Sequence, residues 1–575
     1  MLGTDRDVQR VVGLAAAVAA CKVRRCPTLP WSIPMRTSVA LLLIIPSVAA
    51  AQSADLGAVA DRVFAQWTRA TPGCAVGVAQ GGRTVLARGY GMANLESATP
   101  ITAETIFESG SVAKQFTASA ILLLMADGKL RLDDRVQKYL PELPEYGRPL
   151  TIRHLLSHTS GLREWSNLVQ VDGWPRGSRV HTQDELLETV FSQKEINYPV
   201  GDHYSYTNSG FGLLVTIIER VSGMPFARFT TERLFKPLGM TQTTWRDDFQ
   251  RIVPGRAQAY SRSGSAWALE MPFENVVGPG GMLTTVTDWL KWNDALDRRT
   301  LGGWLVDSLE SQATLTSGRK ISYAMGLTVG EWRGQREVAH SGSTGGYATY
   351  LMRLPARGIS VAVMCNSAGA NPTSHARQMA EALVPDLAPT VTPDTVTLDP
   401  AAVSRVAGVY RSSRTYEPLF IGVQGPGGGR GGANLRQHRD GGLLIGSNKA
   451  VFDGPSGGPP TGLRQIAANG DTIAFLRVGN APWTPNAADL GAFAGAYRSD
   501  EIRASWTARV DSGRLVLSSR RGSRQLLTPV YKDAFVGGGF GTVWFSRDPR
   551  GTVNAMHISA ARLWNLTIPK VRSVQ

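Results

Sequence analysis

The chain has 575 residues, 43% of them hydrophobic, and a formal net charge of +15. That length can bury more than one core and suggests two to four domains, and the composition excludes a disordered or fibrous protein. Setting aside residues 1–51, with six basic and two acidic side chains, leaves about +11; such a balance favours acidic surfaces, cell-envelope polymers among them, and without a recognition motif no nucleic-acid partner is expected.

Residues 35–51 have a basic start (Met-Arg-Thr-Ser), a short apolar run and small residues before Gln52, the layout of a secretory signal peptide. We expect translation to begin at Met35, residues 1–34 being a start-site artefact or a long leader, and the product to be periplasmic or secreted. The apolar run is too short to cross a bilayer and no Cys follows it, so neither stable membrane insertion after cleavage nor a lipid-modified terminus is expected. Of four cysteines, Cys21 and Cys26 fall in the leader. Cys74 and Cys365 sit in apolar, strand-like runs, where buried free thiols are favoured over a disulfide.

Residues 56–70 read as an amphipathic helix, and 73–79 and 84–89 as strands of a hairpin turning on Gly81-Gly82. Next comes Glu108-Ser109-Gly110-Ser111-Val112-Ala113-Lys114, running into an apolar segment that ends at Gly128. This predicts a buried helix with Ser111 in its first turn and Lys114 one turn along the same face. A serine there lies near the positive end of the helix dipole, and its own N–H is free to meet an oxyanion. Lys114 can act as its base only if burial and neighbouring charge bring its pKa down from about 10.4. The plain alternative is a capping serine followed by a solvated lysine.

His154 and His158 are spaced i, i+4, but the intervening Leu-Leu-Ser lacks the Glu of a zinc hydrolase helix and no third ligand stands nearby; both are read as structural, with no metal or cofactor expected. Residues 198–210 form a turn-rich loop before a helical run over 213–221. Within it Tyr206-x-Asn208 offers a phenol and an amide that either face one cleft or simply pack and satisfy backbone groups. The Gly-rich 276–282 precedes a helix over 288–296 and lacks the Lys-Ser/Thr pair of a phosphate loop. His340-Ser341-Gly342-Ser343 leads into strands 347–354 and 359–364, joined by a turn at 355–358. Strands at both ends of a helical middle predict one antiparallel sheet closed by its termini, with helices packed on it. The strand bearing His340 would then lie beside the helix start bearing Ser111, unless His340 is an ordinary surface residue.

Residues 386–400 have a linker composition, rich in Pro, Thr and Asp. Beyond them Val406-Ala-Gly-Val-Tyr-Arg-Ser412 recurs 87 residues later as Phe493-Ala-Gly-Ala-Tyr-Arg-Ser499. Each copy opens a run of short strands and turns, read as two small antiparallel barrels or sandwiches over 401–487 and 488–575. The Gly-rich run 425–432 reads as a flexible loop. Arg520, Arg521 and Arg524 read as a solvated face ahead of a polyanion site.

Ser111-x-x-Lys114, Tyr206-x-Asn208 and His340-Ser341-Gly342, in that order, are together far more specific than any one of them. Over about residues 56–380 the chain resembles the serine β-lactamase and penicillin-binding-protein superfamily, on the branch of class C β-lactamases, D-aminopeptidases and related esterases. Residues 154–162, Pro237-Leu238-Gly239-Met240 and Gly280-Gly281-Met282 carry the same likeness. The C-terminal repeat is similar to the two lipocalin-like barrels that follow the catalytic domain in D-aminopeptidases. The resemblance implies an α+β, β-lactamase-like fold for residues 52–385: an antiparallel sheet flanked by helices, plus an all-helical region. It implies that Ser111 forms an acyl-enzyme, that Lys114 and Tyr206 share the proton transfers, and that Asn208 contacts the substrate amide or orients Lys114. It also implies that Gly342 and Ser343 belong to the substrate-binding strand, the Ser343 N–H joining that of Ser111 in the oxyanion hole. His340 departs from the pattern, standing where most of the superfamily carries the Lys of a Lys-Thr-Gly strand. An ammonium that would grip a carboxylate becomes an imidazole mostly neutral at pH 7. This lowers the β-lactamase and carboxypeptidase readings and raises aminopeptidase, amidase or esterase, with small-molecule, peptide or ester substrates and cell-envelope peptides among the candidates. The rival from another class is a catalytically silent penicillin- or envelope-binding protein.

Overall fold

Strand Cys74–Gln80 turns back into Arg83–Tyr90 at Gly81 and Gly82, whose φ values of +57° and +75° are ones glycine adopts without strain. The computed structural model that gives this geometry describes residues 55–390, 394–396, 398–425, 435–455, 458–468, 470–537 and 539–571. The leader and signal segment, and all of the Gly-rich run but Gly425, lie outside them. The hairpin completes a six-stranded antiparallel sheet in the order Thr328–Trp332, Gln335–Thr344, Tyr347–Leu354, Ile359–Cys365, Cys74–Gln80, Arg83–Tyr90. The two ends of this region therefore pair edge to edge at the middle of the sheet.

Both faces of the sheet are covered, as the near-continuous apolar run of Ile359–Cys365 requires. Val361 and Val363 pack with Ala60 of helix Leu56–Val63, with Phe64 just past its end and with Ala376 and Met379 of helix Pro372–Glu381. Ala362 and Met364 point the other way, into a core shared with Phe116 of helix Lys114–Ala126 and Trp289 of helix Val286–Asp297. The first helix stops at Val63, seven residues short of the sequence reading. Beyond it the Thr71 hydroxyl accepts from the Thr68 N–H and the Thr68 hydroxyl from the Ala70 N–H, local bonds that compete with the helical ladder.

The sheet register corrects the reading of the two cysteines. Cys74 lies directly opposite Cys365 with their Cα atoms 4.0 Å apart, and they form a disulfide across 291 residues. Two buried thiols on neighbouring strands are within bonding reach once the chain ends pair. Closing so long a loop restricts the unfolded chain, so replacing both cysteines with Ala should lower the unfolding free energy by about 2–5 kcal/mol, read from the urea midpoint. Thiol titration of the denatured, unreduced chain from Gln52 onward should find no free cysteine.

Helix Lys114–Ala126 is buried on nearly every side, and its polar side chains find partners there. Trp292 Nε1 donates to Gln115 Oε1 at 2.7 Å and Thr117 Oγ1 to the Gly278 carbonyl at 2.9 Å. No single helix among the described residues is long and apolar enough to cross a membrane.

Two eight-stranded antiparallel sheets follow. The first includes Thr395–Val396, which lies inside the stretch read as linker and pairs with Leu435–His438. The second runs from Gly495–Ser499 to Leu563–Pro569 strand after strand, and closes where Val571 N donates to the Ala496 carbonyl at 2.8 Å. The sequence repeat is a structural one. Tyr410 and Tyr497 are both buried, and each phenol donates to the carbonyl four residues back, Val406 or Phe493, at 2.7 Å. The basic cluster is not simply a solvated face, because Arg521 pairs with Asp172 at 3.0 Å and lies over the Trp174 ring.

Candidate active site

Ser111 sits in the single 3₁₀ turn Gly110–Ala113 that feeds directly into helix Lys114–Ala126. Lys114 is 0% exposed. Its Nζ lies 3.2 Å from Ser111 Oγ, 2.8 Å from Asn208 Oδ1 and 2.6 Å from the Pro279 carbonyl oxygen. Burial is the main influence on the amine and holds its pKa well below the usual lysine range; Glu164 opposes this, while Arg562 and Arg176 assist it. A neutral amine has two N–H donors and one lone pair. The two shortest contacts go to oxygens that can only accept, so the lone pair is left facing the hydroxyl of Ser111.

Asn208 is not in a loop, as the sequence suggested, but is the first residue of helix Asn208–Ser222, capped by the Thr207 hydroxyl accepting from Ser209 N at 3.2 Å. The helix starts before the apolar run, so the sequence reading, with a loop to 210 and a helix from 213, begins it too late. Glu164, 1% exposed, fixes the amide: Asn208 N donates to Glu164 Oε2 at 2.6 Å and Asn208 Nδ2 to Oε1 at 3.3 Å. The Asn208 oxygen is thereby aimed at Lys114. Sequence reasoning missed Glu164. Its one signal was an acidic residue capping a short helix, Trp165–Val171, straight after the phrase ending at Leu162.

Tyr206 packs its ring 4.8 Å below Lys114 Nζ, measured to the centroid, and 4.1 Å from the His158 ring. The phenol is buried and makes no hydrogen bond of normal geometry, yet it is close enough to Ser111 for that hydroxyl to oppose the upward pKa shift that burial imposes. Tyr206 is therefore a neutral phenol beside the serine. His158 accepts from Thr207 N through Nδ1 at 3.3 Å, while His154 Nδ1 accepts from Thr151 N at 3.2 Å. The helix carrying His154 ends at Leu156, and His158 follows with a φ of +57°, so the two rings do not share a helix face.

His340 lies on strand Gln335–Thr344. Its Nδ1 is 2.6 Å from the Ser341 carbonyl, which can only accept, so Nδ1 carries the proton and Nε2 accepts from the Tyr323 hydroxyl at 2.9 Å. Burial, helped by Lys114, pushes its pKa down to about 3. The same strand passes against the serine turn at two glycines. A Cβ on Gly110, where φ is +51°, would lie 2.5 Å from Ser343 N, and one on Gly342 would lie 2.0 Å from the Ser109 carbonyl oxygen. The absence of side chains there brings the Ser343 amide next to the turn that holds Ser111.

Ser111, Tyr206, Asn208, His340, Gly342 and Ser343 thus line one cleft of about 550 Å³, with Lys114 beneath them. Arg176 stands at its wall, held by Glu274 through two hydrogen bonds at 2.9 and 2.5 Å. A further lining residue comes from the second C-terminal sheet. Arg562, in the turn between Val553–Ala560 and Leu563–Pro569, lies over the Tyr206 ring at 4.7 Å from its centroid. Neither Arg562 nor the Pro279 carbonyl was recognisable from the sequence.

The family model described as Beta-lactamase matches residues 59–385. Penicillin-binding protein 4* of Bacillus subtilis (strain 168) is 29% identical over 294 residues, covering 48% of this chain and 64% of that protein. The D-aminopeptidase of Brucella canis is 29% identical over 306 residues, covering 52% of this chain and 57% of that protein. The chain thus spans less than two thirds of the length of these relatives. In fold it is similar to the octameric penicillin-binding protein homologue from Pyrococcus abyssi, with a TM-score of 0.51, 24% identity and coverage of 82% of this chain and 99% of that one. With a match over more than half of its length, which includes every residue from Ser111 to Ser343 brought together in the cleft, the chain belongs to the Beta-lactamase family.

Proposed function

We propose that the protein is an exported serine hydrolase that acts through an acyl-enzyme on small amides, peptides or esters, in the manner of D-aminopeptidases and related esterases. The observation that carries this is the environment of Lys114: a buried amine whose two donors are occupied by Asn208 and Pro279 and whose remaining direction faces Ser111 Oγ. Lys114 takes the Ser111 proton as the oxygen attacks the carbonyl, and the N–H groups of Ser111 and Ser343 receive the oxyanion. Tyr206, neutral and beside Ser111, passes a proton to the leaving group and recovers one from the deacylating water, while Lys114 returns its proton to Ser111 as the acyl group departs. The neutral His340 supports ranking β-lactamase and DD-carboxypeptidase chemistry lower, since that strand offers no cation to a substrate carboxylate.

We read residues 52–385 as the catalytic domain and the two C-terminal sheets as lipocalin-like barrels. Export is supported by the signal-like residues 35–51 and by the Cys74–Cys365 disulfide, which suits an oxidising compartment.

A fluorophosphonate should add its mass to the native protein and leave Ser111→Ala unlabelled. Absence of labelling in the native chain would replace this reading with that of a silent penicillin- or envelope-binding protein. A panel of short esters, D- and L-amino-acid amides and β-lactams then ranks the substrates. The pH profile provides a second check. A lysine base works only when deprotonated, so kcat/KM should be present above the depressed pKa of Lys114 and lost as pH falls through it. Glu164→Gln removes the charge that opposes the depression, and should move that acid limb to lower pH.

A further inference from the structure

The charged groups that line the 550 Å³ cleft are of one sign. Arg176 and Arg562 stand at its edge, and no Asp or Glu is among the described residues that line it. Arg176 is already neutralised by Glu274. Glu164, the carboxylate behind Asn208, is buried and accepts from Asn208, Thr207 and Ser166. Arg562 differs from both. Among the described residues no carboxylate pairs with its guanidinium, and its contact over the Tyr206 ring takes up none of its N–H donors. Its N–H donors remain available to a planar anion.

The turn that presents this side chain is fixed in place. The Arg562 carbonyl accepts from Glu164 N at 3.2 Å and from Asn197 Nδ2 at 3.1 Å, and Asn197 Oδ1 accepts from Trp564 N at 2.8 Å. The Trp564 ring packs against Tyr198 with 4.9 Å between centroids. Residues 164, 197 and 198 thus clamp the turn at the Arg562 carbonyl and at Trp564 two residues on, so little ordering remains to be done when a ligand arrives.

We propose that Arg562, delivered by the C-terminal sheet, is a specificity determinant that binds a carboxylate of the substrate. The substrates are then amides or esters carrying an acidic group near the scissile bond, not ones carrying a free amine. This rests on the acyl-enzyme reading, keeps its amidase and esterase members and departs from its aminopeptidase member, and it restores to β-lactamase and carboxypeptidase chemistry the cation whose lack at His340 ranked them lower.

The test uses the full chain and three short esters of equal size that differ in one group: carboxylate, carboxamide or amine. Wild type should favour the carboxylate over the carboxamide in kcat/KM by about ten- to a hundredfold, the range for a hydrogen bond to a charged partner. Arg562→Ala should bring that ratio close to one, Arg562→Lys should keep part of it, and Arg562→Glu should turn the preference toward the amine. Taking a ratio cancels any influence of Arg562 on Lys114, which acts on all three esters alike. The preference should weaken as salt is raised, because the side chain is exposed. If none is turned over, their protection of Ser111 from the fluorophosphonate is read in the same order. An unchanged ratio in Arg562→Ala, or a wild type that prefers the amine, overturns the proposal. Labelling of Ser111 separates the two failures. A labelled protein indifferent to Arg562 loses only this assignment, and an unlabelled wild type loses the hydrolase reading itself.

Discussion

Lys114→Ala is expected to slow acylation of Ser111 by a factor on the order of 100 or more, the usual cost of losing a general base. No other group among the described residues is placed to replace it. Tyr206 is held neutral by burial, His340 has given its Nε2 lone pair to Tyr323, and the Nδ1 of His158 accepts from Thr207. The substitution also strips the Asn208 oxygen and the Pro279 carbonyl of their shared donor. Leaving two buried acceptors unpaired costs about 1–3 kcal/mol each, partly offset because the expensive burial of an amine is gone. Rate and stability should therefore be measured separately, the first by stopped-time fluorophosphonate labelling and the second by urea midpoint. Lys114→Met keeps most of the volume and should match Ala in rate while unfolding later. An acylation rate close to wild type in either variant would remove Lys114 from the chemistry.

What could be read from the sequence follows from how local each signal is. The hairpin at Gly81-Gly82, the strands meeting at 355–358 and the buried helix after Ser111 are written in periodicity and turn residues a few positions apart. The 87-residue repeat was visible for a similar reason, each copy keeping the Tyr whose phenol reaches four residues back. Pairings between distant segments leave no such trace. Cys74 and Cys365 meet only because the two ends of the region share a sheet, and neither run signals the other. Chemistry carried by the backbone is equally silent: the Pro279 carbonyl that takes one Lys114 donor could have come from any residue in that loop. Arg562 lies on the second C-terminal sheet, far along the chain from the other residues of the cleft it lines. Asn208 reads as loop because Thr207 and the glycines around it mask a helix start that is set by a cap and by Glu164. The turn that holds Ser111 is thus legible, and the groups packed around it are not.

Gly342→Ala is expected to be nearly as damaging as losing the base, although it removes no functional group. Its backbone φ lies outside the left-handed region, so the cost comes from space and not from conformation. The added methyl would stand 2.0 Å from the Ser109 carbonyl oxygen and 2.4 Å from Thr349 Oγ1. Thr349 Oγ1 already donates to that same carbonyl at 2.8 Å, so a rotation of the threonine relieves one clash by breaking a buried bond and leaves the other. Ser109 cannot yield easily, because its N–H donates to the Met282 carbonyl at 2.8 Å and the next turn is the one holding Ser111. The strand must then move away by roughly 1 Å to restore van der Waals contact, and it carries Ser343 with it. Overpacking of this kind costs about 1–3 kcal/mol of stability. Withdrawal of the Ser343 amide from the serine turn removes an oxyanion donor, worth about 3 kcal/mol or a hundredfold in rate. The labelled fraction at fixed time should fall accordingly at temperatures where the variant is still folded by circular dichroism. A folded Gly342→Ala that labels at the wild-type rate would show that the close approach of this strand to Ser109 has no part in stabilising the charge that develops on the substrate.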